Sequence, residues 1–124
     1  SEAEGSQKIP PGQTGELPEK GNFLAFVGNE ASRYLVDAAK SAFQSAADIP
    51  TFGGVFPEEV PGVGWSDHWS FWQAGFPAVM ITDTALYRYP HYHLPTDTPD
   101  KIDLAKLEET VRGIKAIVDA LANP

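Results

Sequence analysis

Two short apolar runs in this chain of 124 residues predict buried β-strands. The first covers residues 22–27 and is closed by Gly28 and Asn29, and the second covers residues 77–82. Continuous apolar segments of this length, bounded by turn residues, are typical of strands covered on both faces of a sheet. We therefore expect a sheet with helices on each side.

Apolar residues at steps of three and four predict helices between and after these strands. The first is expected over residues 30–47 and the second over residues 67–74, and the third begins at its N-cap Asp103. The apolar face of the first helix comprises Tyr34, Leu35, Ala38, Ala39, Ala42 and Phe43. That of the last helix comprises Leu104, Leu107, Val111, Ile114, Val118 and Leu121. Such faces are typical of helices that pack against a core.

The remaining segments are predicted to be loops. Residues 1–21 contain almost no large apolar side chain and indicate a linker or surface loop. Residues 51–64 are rich in proline and glycine and predict a long loop, and residues 83–103 form a second one. Because only two strands are predicted, the pattern indicates an α/β fold in which part of a mixed β-sheet is flanked by helices, a partial three-layer sandwich.

Charge and composition narrow the class of partner. The formal net charge is −8, which argues against nucleic acid or an anionic membrane surface, since both require a basic face. No apolar run approaches the roughly 20 residues of a membrane span. The chain contains no cysteine, so any metal must be held by histidine and carboxylate side chains.

The segment from Pro90 to Thr98 carries two of the three histidines. His93 follows a predicted strand, where α/β sheets place ligand sites, and is a candidate metal ligand. Asp97 could hold the other ring nitrogen of His93, and the hydroxyl of Tyr92 could stabilise a developing oxyanion. The simpler alternatives are a loop histidine bonded to backbone and a packed loop tyrosine.

The third histidine leaves further alternatives open. If the loop were extended, His91 and His93 would face one side and could build a three-histidine zinc site with His68. Asp67 is equally explained as a helix cap. His68 either packs like an aromatic residue or lines a pocket walled by Trp65, Trp69 and Trp72.

Two acidic groups invite a metal interpretation that their context does not favour. Asp97, Asp100 and Asp103 lack the central glycine and terminal glutamate of an EF-hand calcium loop, so turns and capping explain them better. Glu58 and Glu59 lie in a proline-rich segment and indicate solvated charge.

Three motifs resemble those of the di-zinc aminopeptidases of peptidase clan MH, the relatives of bacterial leucyl aminopeptidase and aminopeptidase Y, with glutaminyl cyclases as cousins. The first is Asn-Phe-Leu-Ala-Phe-Val-Gly-Asn at residues 22–29. The second, at residues 66–80, opens with Ser-Asp-His and contains Gly-Phe-Pro-Ala. The third, at residues 92–101, opens with Tyr-His and continues to Asp-Thr.

The resemblance implies that residues 22–124 are the C-terminal portion of a zinc aminopeptidase-like catalytic domain. His93 then corresponds to the terminal histidine ligand of one of two zinc ions, and Tyr92 to the residue whose hydroxyl assists the tetrahedral intermediate. Positions beside the metal or the substrate pocket are expected for Asp67, His68, Asp97, Trp65 and Trp69.

The other metal ligands and the general base of that family lie upstream of the matching motifs and have no counterpart here. This chain alone is therefore expected to bind zinc weakly or not at all, and to be inactive. The resemblance implies a peptide substrate for the intact enzyme, and as partner either the missing N-terminal half or a second copy of the chain. Two alternatives are a non-catalytic α/β binding or assembly module and a glutaminyl cyclase-like acyltransferase.

Overall fold

A mixed three-stranded sheet forms the centre of the fold in the computed structural model, which describes residues 3–11 and 18–123. Strand β1 is Leu24–Gly28, β2 is Thr51–Val55 and β3 is Met80–Thr82. They lie in the order β2-β1-β3, with β1 parallel to β2 and antiparallel to β3. All five residues of β1 are buried, as a continuous apolar run at the centre of a sheet requires. The predicted α/β fold is confirmed.

Strand β2 corrects the prediction of a continuous loop over residues 51–64. Gly53 of β2 lies opposite Phe26 of β1, and a Cβ atom at Gly53 would come within 2.5 Å of the Phe26 carbonyl oxygen. The glycine that indicated a loop is therefore what lets the two backbones approach.

Helices cover both faces of the sheet. Within the described residues they are α1 (Arg33–Gln44), α2 (His68–Gln73), α3 (Ala85–Arg88) and α4 (Leu104–Ala122), with short 3₁₀ segments at Glu30–Ser32 and Pro99–Lys101. α3 and the second 3₁₀ segment interrupt the loop predicted over residues 83–103. No helix in the described ranges is both long and apolar enough to cross a bilayer.

The face of β1 that carries Leu24 and Phe26, called here the closed face, packs against α1 and α4. Phe26 and Phe43 are fully buried and meet edge to face, with ring centroids 5.6 Å apart. On α1 the buried positions are Val36, Ala39 and Phe43. Tyr34 was predicted to face the core but is 63% exposed, because it lies two residues before Val36 and so points to the opposite side of the helix.

Helix α4 begins as predicted, since the Asp103 carboxylate accepts a hydrogen bond of 3.1 Å from the Lys106 backbone N–H. The predicted apolar face is nevertheless not the face that packs. Gly113 and Ile117 are buried instead, because the absence of a side chain at Gly113 lets the Phe43 ring approach the helix backbone. The six residues of the predicted face are exposed.

The opposite face of the sheet, called here the open face, carries Phe23, Ala25 and Val27 and packs against Trp72 of α2. The residues of this face are buried, but the sheet and the loops beside it enclose a cavity. The prediction of a linker over residues 1–21 falls partly on residues 1, 2 and 12–17, which lie outside the described residues. Gln7, before that gap, is buried and accepts a hydrogen bond from Thr84.

Candidate functional site

The histidine loop, defined here as Tyr89–Asp97, is folded into consecutive turns. The Tyr92 N–H donates to the Tyr89 carbonyl at 3.3 Å, and the Leu94 N–H donates to the His91 carbonyl at 3.0 Å. The next turn closes from the Asp97 N–H to the Leu94 carbonyl at 3.0 Å. The extended segment that a His-x-His ligand pair would need is therefore not formed.

His93 lies at the strained position of this loop. Its φ angle is +56°, in the left-handed region that non-glycine residues seldom occupy. The ring is exposed and stacks on that of Tyr92, with centroids 4.0 Å apart. No other described residue forms a hydrogen bond with it, so both ring nitrogens are accessible. Strained backbone of this kind concentrates at functional sites.

Asp97 contacts Tyr89 rather than His93. The Tyr89 hydroxyl donates to the Asp97 carboxylate at 2.7 Å, across the base of the histidine loop. This hydrogen bond is the main reason why the pKa of Tyr89 is raised to about 12, with desolvation and the Asp97 charge adding to it. Sequence reasoning missed Tyr89, because a tyrosine eight residues before an aspartate has no recognisable spacing. The predicted Asp97–His93 hydrogen bond is absent.

His91 also has a structural partner inside the loop. Its Nδ1 atom lies 2.9 Å from the Thr96 hydroxyl, and its ring meets that of Tyr89 edge to face at 5.4 Å. His91 therefore braces the loop, whereas His93 faces solvent.

The direction of β3 determines which edge of the sheet the histidine loop leaves. Thr82, the last residue of β3, lies opposite Ala25 near the start of β1. The chain therefore leaves β3 at the amino-terminal edge of the parallel pair, not at its carboxyl edge as the sequence interpretation assumed. Arg88 anchors this connection by donating to the Phe23 carbonyl at 2.7 Å, with its guanidinium 4.9 Å from the Phe23 ring centroid. Burial lowers the pKa of Arg88.

A cavity of about 300 Å³ lies on the open face, and Tyr92 is part of its wall. Other lining residues are Phe23, Val27, Val60, Trp65 and Tyr87. The Tyr87 hydroxyl donates to the Pro61 carbonyl at 2.6 Å, which ties α3 to the loop after β2, and burial raises the pKa of Tyr87. A mostly apolar cavity with a few polar groups at its rim is suited to an apolar side chain or small molecule.

His68 is a packed residue of the core. It is 6% exposed, its Nε2 atom lies 2.6 Å from the Val63 carbonyl, and its ring meets that of Trp72 edge to face at 4.6 Å. A carbonyl partner requires the proton on Nε2. Nδ1 is buried without a partner in the described residues. His68 thus connects α2 to the loop before it and does not line the cavity.

Asp67, Trp65 and Trp69 lie near α2 but differ in surroundings. Asp67 is exposed and forms no side-chain capping bond, so the predicted cap is wrong. Trp65 lines the cavity, as expected of a pocket residue. Trp69 instead points away and donates to the Glu58 carboxylate at 3.1 Å. Glu58 is therefore exposed, as expected, but it also has a partner.

Residues 17–118 match the profile of Peptidase family M28. The chain belongs to this family. Membership confirms the resemblance to clan MH at the level of the family and indicates a peptidase of the metal-dependent kind.

The M28 chain is also similar to "Uncharacterized protein YfbL" of Escherichia coli (strain K12), with 40% identity over 113 residues. The match covers 90% of this chain and 35% of YfbL, so the chain spans about a third of that relative's length. No solved structure matches it.

Zinc is typical of M28 peptidases, but the residues described here do not make a zinc site. No three histidine, aspartate or glutamate side chains within residues 3–11 and 18–123 lie close enough to hold a metal ion. This excludes the three-histidine arrangement of His68, His91 and His93. Zinc takes four ligands, and a catalytic site supplies about three of them from protein. His93 fits one of these places and the rest are lacking.

Proposed function

We propose that this M28 chain is the C-terminal portion of a zinc-dependent aminopeptidase and that it is inactive alone. The observation that carries the proposal is the stacked pair of Tyr92 and His93, with an exposed imidazole on one side and a cavity on the other. Within one dipeptide the loop thus presents a metal-ligand type and a hydroxyl donor beside a place for a side chain.

His93 is the residue proposed to contribute a metal ligand. Its imidazole is exposed and unbonded within the described residues, whereas His91 is engaged by Thr96 and His68 is buried against Val63. Among the three histidines, His93 therefore needs the least rearrangement to bind a cation. When complete, a zinc centre polarises the scissile carbonyl and lowers the pKa of a bound water.

Tyr92 is proposed to donate its hydroxyl to the oxygen that becomes negatively charged as the carbonyl is attacked. The side chain is half-buried in the cavity wall, and stacking on His93 limits its freedom. A donor placed in advance at such an oxygen stabilises the transition state more than the substrate.

The cavity on the open face is proposed to receive the side chain of the substrate's N-terminal residue. Its wall is mainly aliphatic and aromatic, and no carboxylate or ammonium group lines it among the described residues. Peptides with an apolar N-terminal residue should therefore be preferred over those with a charged one.

The remaining ligands and the general base are proposed to come from further M28 sequence joined to this chain or bound to it. The relevant experiment replaces the aligned segment of YfbL with this chain and measures amine release from aminoacyl p-nitroanilides. We expect zinc-dependent hydrolysis that favours leucyl over glutamyl substrates. His93→Ala should abolish it, and Tyr92→Phe should lower kcat by about 10²–10³.

His91→Ala is the matched control, since it removes a loop histidine that is not proposed to bind metal. Zinc content is measured alongside activity for every variant. A folded chimera that binds zinc but releases no amine, with YfbL equally inactive, would contradict the proposal. Cyclisation of N-terminal glutamine peptides without amine release would instead favour the glutaminyl cyclase alternative.

A further inference from the structure

The outer face of α4 carries a row of exposed apolar residues, called here the α4 stripe. Its members are Leu104, Leu107, Val111, Ile114, Val118 and Leu121, which are between 37% and 72% exposed. The steps between them alternate three, four, three, four and three residues. This is the a/d spacing of a coiled-coil seam, continued here over more than two heptads.

The stripe takes no part in holding α4 on the domain. That attachment comes from Gly113 and Ile117, which are buried against α1, and from two polar links. Glu109 accepts from the Asp48 N–H at 2.8 Å, and Arg112 donates to the Ala46 carbonyl at 2.9 Å. Because α4 is already ordered by these contacts, a partner on the stripe would not have to meet the cost of folding the helix.

The width of the stripe points to another helix as partner. A helix lying on a sheet or a broad core uses an apolar face of 100° or more, whereas a strict a/d row is the narrower seam between two helices. The residues after each d position, Glu108 and Lys115, are charged and exposed. They occupy the e positions that set partner choice and orientation in coiled coils.

The signs of these charges are self-complementary in one orientation. In an antiparallel pair that places Leu107 opposite Val118 of a second copy, Glu108 lies beside Lys115 of that copy, and the reverse contact follows by symmetry. A parallel pair would instead bring Asp103 beside the like-charged Glu108 of the partner. Lys115 pairs with Asp119 within the chain, but both side chains are more than half exposed, so the exchange costs little.

We propose that α4 pairs antiparallel with α4 of a second copy of this chain, around a two-fold axis between Val111 and Ile114. Such a contact uses the same surface on both partners and closes without leaving a free site. The inference does not rest on peptidase activity.

The test measures the mass of the full chain by sedimentation equilibrium over a dilution series. We expect a monomer–dimer equilibrium that reaches twice 13.4 kDa at the concentrated end. Val111→Glu should abolish dimerisation, while Ala120→Glu, an equal charge on the exposed helix surface outside the stripe, should not change it. Circular dichroism establishes that both variants are folded.

Charge exchange then tests the orientation. Glu108→Lys alone and Lys115→Glu alone should each weaken the dimer roughly threefold to tenfold, and the double variant should restore it. A parallel pair gives the opposite sign for Glu108→Lys, because the new lysine would face Asp103. A chain that stays monomeric throughout, or a dimer that survives Val111→Glu, overturns the proposal and leaves the stripe to another partner, such as the remainder of an M28 domain.

Discussion

The two faces of β1 are built from similar residues but differ in how completely they are covered. On the closed face, Phe26 and Phe43 meet inside a continuous layer formed with α1 and α4, and both are fully buried. On the open face, Phe23 and Ala25 are also buried, but loops and α3 cover them and leave a cavity of about 300 Å³. Helix packing fills space closely, whereas irregular segments held by polar bonds leave room for a ligand.

The comparison predicts its largest effect for paired truncations, one on each face. Phe26→Ala should lower the free energy of unfolding by about 3–5 kcal/mol, because it leaves a void in a layer that cannot collapse. Phe52→Ala, in the wall of the existing cavity and already partly exposed, should cost about 1–2 kcal/mol. Urea unfolding of both variants measures the difference. Equal losses would mean that the open face is packed as tightly as the closed one.

A smaller effect is expected where α4 meets the closed face. A Cβ atom at Gly113 would overlap the Phe43 ring, which is fully buried and has no space to move. Gly113→Ala should therefore cost about 1–3 kcal/mol, although alanine is the better helix former. Ala120→Gly on the exposed surface of α4 is the control and should cost about 1 kcal/mol from helix propensity alone. A stabilised Gly113→Ala would show that the two helices are not in close contact.

On the side of the histidine loop the predicted effect appears in a titration. Tyr89 ionises at about 12 because its hydroxyl donates to Asp97. The folded pKa is raised above the ordinary value of 10.0, so this contribution to stability is present below that pH and is lost as pH rises through about 12. Asp97→Ala should move the ionisation back toward 10.0, as followed by tyrosinate absorbance.

Two controls identify the titrating group in that experiment. Tyr89→Phe should remove the high-pH transition, and Asp100→Ala should shift it only slightly, since Asp100 adds a minor charge effect. If Asp97→Ala leaves the transition in place, the hydrogen bond across the base of the loop is not what raises the pKa of Tyr89.

The smallest effect is expected from the polar link between α4 and the end of α1. The hydrogen bond from Lys106, followed by that from the Asp48 N–H, lowers the pKa of Glu109. The stabilisation is therefore present above the ordinary glutamate value of 4.5 and is lost as pH falls through the depressed value. Glu109→Gln should reduce the acid sensitivity of unfolding measured by urea titration. An unchanged pH profile would assign that sensitivity to other carboxylates.

Sequence reasoning succeeded where the deciding interactions are local. The apolar run of β1 and the cap of α4 at Asp103 depend on neighbours within a few residues, so the pattern sufficed. It was wrong for β2, where glycine and proline outweighed the apolar residues. Gly53 indicates a strand only when Phe26 is known to lie across from it.

The candidate site divides in the same way. Tyr92 and His93 were found because they are adjacent and match a family motif. The partner of Asp97 was not, since the choice between His93 and Tyr89 depends on how the turns between them close. Neither could the pattern show that His68 is buried against Val63, because that contact depends on where α2 packs.

The sequence by itself determined that a buried central strand, an acidic and cysteine-free surface and an M28 Tyr-His motif occur together in this chain. Tertiary structure alone decided that β3 runs antiparallel, that the histidine loop leaves the amino-terminal edge of the parallel strands, and which side of α4 is buried. The physical reason is that burial is a property of the assembled layers. An apolar stripe can be read from spacing, but only the position of Phe43 beside Gly113 turns that stripe outward.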